Sequence, residues 1–281
     1  MKIIREVPAL RELVRAARVR GDTIGFVPTM GALHEGHFSL VRQARKDCGF
    51  VVVSIFVNPL QFAPGEDFAS YPRQPEEDEK RLAARGVDLL YRPDEKGFYS
   101  PDFSSAVEVR SVSEGGEAAV RPGHFRGVAT VVTKLFLQVT PDVAYFGRKD
   151  LQQVAVVRRL LRDLDFPIRL VVCETIREQD GLALSSRNAY LSPDERGRAV
   201  ALSRALFAAR AKAARGERDS ATLERETRAE LEKAGLSVDY VEAVECETMR
   251  RPKRIAPGVA LAAAIRLGKT RLIDNVLLLD E

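Results

Sequence analysis

The chain has 281 residues, of which 45% are hydrophobic and 30% are charged, with a net charge of only +4 at pH 7. This composition is ordinary for a globular protein, and the spread of basic residues along the chain argues against a nucleic-acid-binding surface. The start does not resemble a signal peptide, and no apolar stretch reaches the about 20 residues of a membrane helix. We therefore expect a cytoplasmic protein of two domains, or of one large α/β domain, without membrane contact.

The three cysteines do not indicate a disulfide-bonded or metal-binding protein. Cys48, Cys173 and Cys246 lie far apart in the sequence, so neither a disulfide framework nor a CxxC metal site is indicated. Because each has apolar neighbours, we expect three buried, inert thiols.

The first two-thirds of the chain alternates strand-like and helix-like patterns. FVVVSIFVNP (50–59) is nearly all apolar, as in a strand covered on both faces. PEEDEKRLAARG (75–86) begins with Pro, carries acids in its first turn and ends on Gly, which are helix boundary signals. Predicted strands cover 23–29, 50–59, 87–93, 143–147 and 168–175, and predicted helices cover 37–48, 75–86, 128–139 and 151–164.

Repeated strand–helix–strand units with short links imply an α/β fold, a Rossmann-like parallel sheet with helices on both faces. Ligands of such sheets bind at the carboxyl ends of the strands. After residue 176 the pattern changes to two charged, Ala-rich helices, predicted at 192–215 and 219–234. Strands predicted at 238–245, 258–268 and 270–279 follow, which suggests a smaller C-terminal α+β domain. We predict domains over 1–175 and 176–281.

The segment PTMGALHEGH (28–37) lies between a predicted strand and a predicted helix. Backbone N–H groups at a helix start attract anions, and Gly31 and Gly36 would let a phosphate approach the main chain. His34 and His37, two of only three histidines, could both point at that phosphate. The alternative is a pair of surface histidines. Their spacing is not that of a helical zinc site, and the segment is neither a Walker loop nor a GxGxxG motif.

The segment FGRKDLQQ (146–153) opens the helix that follows another predicted strand. Gly147 permits an unusual turn, Arg148 and Lys149 offer charge, and Asp150 can cap the helix or hold a ribose hydroxyl. Gln153 lies in the first turn of this predicted helix and faces the same end of the helix as Asp150. The alternative is a helix cap with solvated charges.

A third polar segment, LSSRN (184–188), lies in the linker that precedes the C-terminal helices. Ser185, Ser186 and Arg187 suit phosphate oxygens, and a flexible segment could close over them. The alternative is an ordinary polar loop.

Amide side chains follow the apolar strand at NPLQF (58–62). Asn58 and Gln61 could orient a small polar substrate, and Tyr71 adds a hydroxyl nearby in sequence. Arg121 and His124 in RPGHFRG (121–127), with Arg126, could hold a substrate carboxylate or act in a lid. A helix-capping turn explains that segment equally well.

Taken together, these segments resemble one family, the pantothenate synthetases or pantoate–β-alanine ligases. PTMGALHEGH, VNPLQF, the RPGHF…GV…TVV…KL stretch, FGRKDLQQ and DGLALSSRN occur in the family's order and spacing along essentially the whole chain. HxGH alone would indicate only the wider nucleotidyl-transferring superfamily. Where the family commonly has glutamate, this chain has Arg148, whose side chain we expect to face solvent.

The resemblance implies a reaction in which ATP, (R)-pantoate and β-alanine give pantothenate, AMP and pyrophosphate with Mg²⁺, through a pantoyl adenylate. It implies a homodimer, with residues 1–175 binding nucleotide and pantoate and 176–281 acting as a lid. It also implies a set of residues that bind ATP: Met30, Gly31, Ala32, Leu33, His34, Glu35, Gly36, His37, Gly147, Arg148, Lys149, Asp150, Ile176, Leu184, Ser185, Ser186 and Arg187.

The implied catalytic residues are His34, His37 and Lys149. The histidines would stabilise the phosphates, with His37 as the proton donor, and Lys149 would neutralise charge on the α-phosphate. The resemblance also implies roles for other residues. Ser185, Ser186 and Arg187 would close over the phosphates, Gly147 and Asp150 would bind the adenosine part, and the main chain of Ile176 would contact adenine. Gln61 and Gln153 would bind pantoate, and further substrate contacts would come from Asn58, Tyr71 and Arg121.

Two other functions remain open at this point. A nucleotidylyltransferase that moves AMP onto a phosphate acceptor could use the same HxGH segment, although an acceptor phosphate would need further basic residues. A nucleotide-binding module without catalysis is the second, and the intact His34, His37, Lys149 and LSSR argue against it.

Overall fold

The computed structural model describes residues 1–279, apart from the side chain at position 96. The chain forms two compact units. The first comprises Met1–Val109, Arg121–Gly147 and Val156–Cys173, and the second comprises Arg110–Val120, Arg148–Ala155 and the chain from Glu174 onward. The predicted domain boundary at residue 175 falls next to the start of that last segment, and as a functional division it stays a prediction.

The first unit is built on a six-stranded sheet in which every pairing is parallel. Its strands, in the spatial order β1-β4-β3-β2-β5-β6, are β1 (Lys2–Ile4), β2 (Ile24–Thr29), β3 (Phe50–Ile55), β4 (Leu89–Tyr91), β5 (Val143–Gly147) and β6 (Arg169–Cys173).

Helices connect these strands and continue into the second unit. In chain order they are α1 (Val7–Val19), α2 (Glu35–Asp47), α3 (Pro75–Ala83), α4 (Glu95–Phe98), α5 (Gly116–Val120), α6 (His124–Val139), α7 (Leu151–Asp163), α8 (Pro193–Ala214) and α9 (Ser220–Lys233). Every predicted helix and strand is present, with ends shifted by a few residues, whereas β1, α1, α4 and α5 are not among the predicted elements.

Helices cover the sheet on both faces, as predicted. Successive residues of a strand point to opposite faces, and β2 shows this directly. Phe26 meets Phe136 of α6 edge-on, with ring centroids 6.3 Å apart. Val27 instead belongs to a buried cluster that includes Phe38 and Val41 of α2. The apolar runs of β2 and β3 are therefore buried on both sides.

The second unit contains an antiparallel sheet of β7 (Ser237–Glu245), β8 (Val259–Leu267) and β9 (Thr270–Leu277), in that spatial order. Its buried cluster includes Leu206 of α8, Leu231 of α9 and Ile265 of β8. The predicted α+β arrangement of the C-terminal part is confirmed. Within residues 1–279, no helix is both long enough and apolar enough to cross a membrane.

The expectation of three buried thiols is only partly met. Cys48 is buried, and its sulfur lies 3.3 Å from the hydroxyl of Tyr145. Burial raises the pKa of the Cys48 thiol, which keeps it in the unreactive protonated form. Cys173 and Cys246 are half-buried, because Cys173 ends the edge strand β6 and Cys246 follows the edge strand β7.

Candidate active site

The direction of chain progression in the sheet reverses between β2 and β5. From β2 the chain adds β3 and β4 on one side, and it then places β5 on the other side of β2. Crevices at the carboxyl ends of two such strands are the usual ligand sites of open parallel sheets. Since β2 ends at Thr29 and β5 at Gly147, PTMGALHEGH and FGRKD both start from this edge.

The two histidines after β2 cap helix α2 reciprocally. His34 is the N-cap residue, and its Nδ1 accepts a hydrogen bond from the backbone N–H of Gly36 at 3.1 Å. The backbone N–H of His34 donates to Nδ1 of His37 at 3.3 Å. The ring centroids lie 4.2 Å apart. The two imidazoles are therefore held together by the helix start itself.

These hydrogen bonds assign the tautomers of both rings. A backbone N–H can only donate, so Nδ1 of each ring is an acceptor and carries no proton. In the neutral imidazole the proton is then on Nε2. Each histidine is therefore a donor through Nε2–H, the type of group that binds a phosphate oxygen.

The backbone of the preceding turn is bonded within the protein. Asp78 of α3 accepts hydrogen bonds from the N–H of Ala32 at its Oδ2 and from the N–H of Leu33 at its Oδ1, both at 2.9 Å. The N–H of Gly31 donates to Oγ1 of Thr29 at 3.2 Å. These three amides are thus not open donors for a phosphate. The roles predicted for the turn residues in ATP binding stay predictions, and they would have to use other atoms.

Glu35, also predicted to bind ATP, is engaged by two arginines. Its carboxylate pairs with Arg42 at 2.9 Å and with Arg85 at 3.0 Å. The hydrogen bond from Arg42 is the main cause that holds the pKa of Glu35 below its ordinary value. The carboxylate therefore stays ionised beside the start of α2.

Gln61 and Met30, which were predicted to bind pantoate and nucleotide, lie together. Gln61 is almost fully buried, and its Nε2 donates to the sulfur of Met30 at 3.0 Å. Asn58 has all four hydrogen-bonding positions occupied: it donates to Gln61 Oε1 and to the carbonyl of Gly127, both at 3.1 Å, and accepts from Leu60 N–H and the Tyr99 hydroxyl. Its influence on a substrate would therefore act through Gln61.

Arg121, another predicted substrate contact, is held in an ion pair with Glu66. Its Nε and Nη2 lie 2.8 and 2.6 Å from the two carboxylate oxygens. His124 Nδ1 lies 2.8 Å from the carbonyl of Gln61, and Arg121 Nη2 donates to the same carbonyl at 3.3 Å. Burial would raise the pKa of Glu66, but the hydrogen bonds from Arg121 outweigh it and hold the pKa low. The RPGH segment thus supports the turn that carries Gln61.

Tyr71, predicted to add a hydroxyl, is buried, and its ring meets that of Phe62 edge-on at 6.0 Å between centroids. Its substrate contact stays a prediction.

Gly127 was not singled out from the sequence, yet it sets how closely α6 approaches that turn. A Cβ at this position would lie 2.2 Å from the carbonyl oxygen of Leu60 and 2.6 Å from the backbone nitrogen of Gln61. No residue with a side chain fits there without displacing the backbone. The helix predicted from the sequence begins only at residue 128, whereas α6 begins at His124, so the pattern did not place Gly127 inside a helix.

In the second unit, the predicted residues after β5 form a short 3₁₀ turn, Arg148–Asp150. The Lys149 ammonium is 3.7 Å from the Asp150 carboxylate. The side chain of Arg148, expected to face solvent, is only 24% exposed because it pairs with Glu174 at 2.8 Å. The carbonyls of Arg148 and Lys149 both accept from the Asn275 amide, at 3.0 and 2.9 Å. This turn is thereby anchored to β9.

The two neighbouring glutamines of this segment differ in burial. Gln152 is buried, and its side-chain Nε2 donates to backbone carbonyls that include those of Val112 and Glu114, each at 3.1 Å. Gln153, the predicted pantoate ligand, is half-buried. The sequence QQ alone does not distinguish these environments.

The predicted adenine contact, Ile176, lies beside the LSSR segment. The N–H of Leu184 donates to the carbonyl of Ile176 at 2.9 Å, and Ser185 caps the 3₁₀ turn that follows through the N–H of Arg187 at 3.3 Å. A cavity of about 440 Å³ within this unit is lined by Thr175 and Arg177, which flank Ile176. In the described part of the chain, no three His, Cys, Asp or Glu side chains are grouped so as to hold a metal ion.

Known proteins resemble this chain over its whole length. The model of the family described as pantoate-beta-alanine ligase matches residues 2–277. Pantothenate synthetase from Moorella thermoacetica is 48% identical over 279 residues, covering 99% of both chains. The one from Anaeromyxobacter dehalogenans is 52% identical, covering 98% of this chain and 97% of the relative.

Solved structures agree with these sequences. The crystal structure of pantothenate synthetase from Thermus thermophilus has a TM-score of 0.94 and 46% identity, covering 99% of both chains. Pantoate-beta-alanine ligase from Francisella tularensis, complexed with β-γ ATP and β-alanine, has a TM-score of 0.81 and 33% identity, covering 99% of this chain and 98% of that one. By its sequence and by its fold, the chain belongs to the pantoate–β-alanine ligase, or pantothenate synthetase, family.

Proposed function

We propose that this ligase joins (R)-pantoate to β-alanine by way of a pantoyl adenylate, with the first step at the carboxyl ends of β2 and β5. The chain is an ATP-dependent pantoate–β-alanine ligase, as its family membership establishes. The single observation that supports the adenylate route is the pair of Nδ1-capped imidazoles at the start of α2. Two Nε2–H donors at a helix N-terminus suit a polyphosphate that gains negative charge as it leaves.

In the first step, a carboxylate oxygen of pantoate attacks the α-phosphorus of ATP, and the bond to the pyrophosphate oxygen breaks. Transfer of this kind needs positioning and charge stabilisation more than covalent chemistry. His34 and His37 would donate Nε2–H to phosphate oxygens. The tautomers favour this hydrogen-bonding role over the transfer of a proton from His37, which stays a prediction.

The remaining phosphate contacts follow from family membership alone. Lys149 would neutralise charge on the α-phosphate, and Ser185, Ser186 and Arg187 would donate to phosphate oxygens. Gly147 and Asp150 would bind the adenosine part, and the main chain of Ile176 would meet adenine.

Pantoate would be bound by the amides of Gln61 and Gln153. Gln61 is well suited to this because Asn58 fixes its Oε1 and the Arg121 and His124 side chains hold its carbonyl. In the second step, the amine of β-alanine attacks the acyl carbon of the adenylate and AMP leaves. No enzyme nucleophile takes part in either step.

Magnesium would enter with ATP. The two imidazoles at the start of α2 offer N–H donors, which suit phosphate oxygens and not a bare cation, and the Glu35 carboxylate beside them is paired with Arg42 and Arg85. Mg²⁺ in nucleotide sites is held largely by substrate phosphates and water, and there it neutralises phosphate charge. We further propose a homodimer and a cytoplasmic location, both on family grounds.

The test is isotope exchange between pyrophosphate and ATP. We expect exchange that requires pantoate and proceeds without β-alanine, because only an adenylate intermediate makes the first step separately reversible. Exchange that ignores pantoate and needs a phosphorylated acceptor would instead identify a nucleotidylyltransferase. ATP binding without any AMP formation in the presence of both substrates would identify a non-catalytic module.

A further inference from the structure

Helix α3 contacts the turn between β2 and α2 through two side chains. Asp78 accepts from the N–H groups of Ala32 and Leu33, both at 2.9 Å. Arg81, one helical turn later, donates from Nη1 to the carbonyl of Leu33 at 2.8 Å. The guanidinium of Arg81 also lies 4.5 Å from the ring centroid of Phe38 in α2. Three consecutive peptide groups of the turn are thus held from the same helix.

The turn needs this support because its backbone is unusual. Gly31 and Ala32 both have positive φ angles, 83° and 50°. For Ala32, a residue with a side chain, this left-handed conformation costs about 1 kcal/mol or more. Such a conformation persists only where the surroundings impose it. The next residue but one is His34, so any change at Ala32 would move the N-cap of α2.

We propose that Asp78 is a positioning residue for adenylation: its carboxylate sets the backbone of the turn so that His34 and His37 present Nε2–H to the phosphates. This inference rests on the proposed function. Asp78 would not touch ATP. It acts on the reaction through the conformation of residues 31–34 alone.

The chemistry of the site explains why a carboxylate is needed. The two oxygens of Asp78 each accept from a different backbone N–H, and both oxygens of an ionised carboxylate are acceptors. An asparagine has one acceptor oxygen and one NH₂ group. Asn at position 78 would therefore place a donor against the N–H of either Ala32 or Leu33, and the turn could not keep both bonds.

The Asp78 carboxylate is buried, and its two backbone hydrogen bonds offset part of the cost of that burial. The residue is 1% exposed, and burial raises the pKa of its carboxyl group, although the N–H groups of Leu33 and Ala32 act in the opposite direction. A raised pKa means that ionisation costs folding free energy at neutral pH. A buried carboxylate whose two oxygens each hold a backbone N–H of a neighbouring turn is suited to fixing the conformation of that turn.

The experiment compares Asp78→Asn with Glu76→Gln. Glu76 is an exposed acid in the same first turn of α3, so the control removes the same charge without touching residues 31–34. We expect pantoate-dependent pyrophosphate exchange by Asp78→Asn to fall about 10²-fold in kcat, the typical effect of a misplacement of about 1 Å. The rate is measured well below the melting temperatures of both variants, where a merely structural residue would leave kcat unchanged.

Arg81→Gln provides a second test, because it removes the bond to the carbonyl of Leu33 while keeping Asp78. We expect kcat for pantoate-dependent exchange to fall in this variant too, but by less than in Asp78→Asn. Exchange by Asp78→Asn equal to that of Glu76→Gln would overturn the proposal. If Asp78→Asn does not fold, Arg81→Gln decides, and unchanged exchange in that variant overturns it. Absence of pantoate-dependent exchange in the wild-type protein would refute the proposed function instead.

Discussion

Replacement of Gly127 by alanine should displace the turn that carries Gln61. The new Cβ would lie 2.2 Å from the Leu60 carbonyl oxygen, whereas ordinary contacts begin at 3.4 Å, so the helix and the turn must separate by about 1.2 Å. Neighbouring atoms cannot yield easily, because the close contacts are all to backbone of residues 60 and 61. The hydrogen bond from Asn58 to the Gly127 carbonyl crosses the same interface.

Two effects follow from this displacement. Overpacking of this kind costs about 1–3 kcal/mol in the free energy of unfolding, of which the better helix propensity of alanine returns about 1 kcal/mol. The effect on catalysis should be larger, since a misplacement of about 1 Å in a substrate-positioning group costs about 10²-fold in rate. The net loss in the free energy of unfolding should therefore be about 0–2 kcal/mol, with the larger effect in adenylation.

The assay is pantoate-dependent pyrophosphate exchange, together with urea unfolding. Gly197→Ala is the matched control, because Gly197 lies in α8 and a Cβ there meets no atom within 4 Å. The control should gain about 1 kcal/mol in stability and exchange normally. If Gly127→Ala had wild-type kinetics for pantoate, the predicted displacement of the turn that carries Gln61 would be refuted.

Three further predictions concern the same site. His34→Asn should keep the stability of α2, because asparagine is a good N-cap, yet lose adenylation with the imidazole; His34→Ala should in addition lose about 1 kcal/mol in urea unfolding, and equal activity of His34→Asn and wild type would contradict the donor role. Lys149→Ala should slow single-turnover adenylate formation by orders of magnitude with an unchanged melting temperature, and a normal rate would remove its charge-neutralising role. The pKa of Glu66 is held low by Arg121, so its pairing adds stability above the unfolded pKa of about 4.3 and loses it as the pH falls through the folded value. Unfolding free energies of wild type and Glu66→Gln should then differ at pH 7 and converge in acid, whereas a difference independent of pH would exclude an ionised pair.

The sheet and most of its helices could be predicted because their signals are local. The apolar run of β3 and the boundary residues of α3 indicate burial and helix ends within a single segment. Strand β1 has only three residues, too few to show a pattern. Helix α1 could have been found, since Leu10, Val14 and Ala17 recur at helical spacing and are all buried.

The contacts of the candidate site could not be predicted from its residue types, and the roles of those residues stay predictions. PTMGALHEGH indicated a phosphate site, yet the bonds from its turn to Asp78 join residues more than 40 positions apart. Only the packing of α3 beside α2 brings these together. Likewise, the ion pair of the half-buried Arg148 with Glu174, 26 residues further along the chain, could not be read from the segment FGRKD.

The segmented make-up of the second unit limits where the chain can be cut. A fragment beginning at residue 176 would lack α5, whose Glu117 carboxylate pairs with the guanidinium of Arg271 at 2.7 and 2.8 Å. Both side chains are largely buried, and removal of one partner of a buried ion pair costs about 3–5 kcal/mol. The fragment would also lack the carbonyls of residues 148 and 149 that satisfy Asn275. We therefore expect residues 176–281 alone to be less stable than the same residues in the whole chain, and insertions or fusions are better placed at exposed turns than at residue 175.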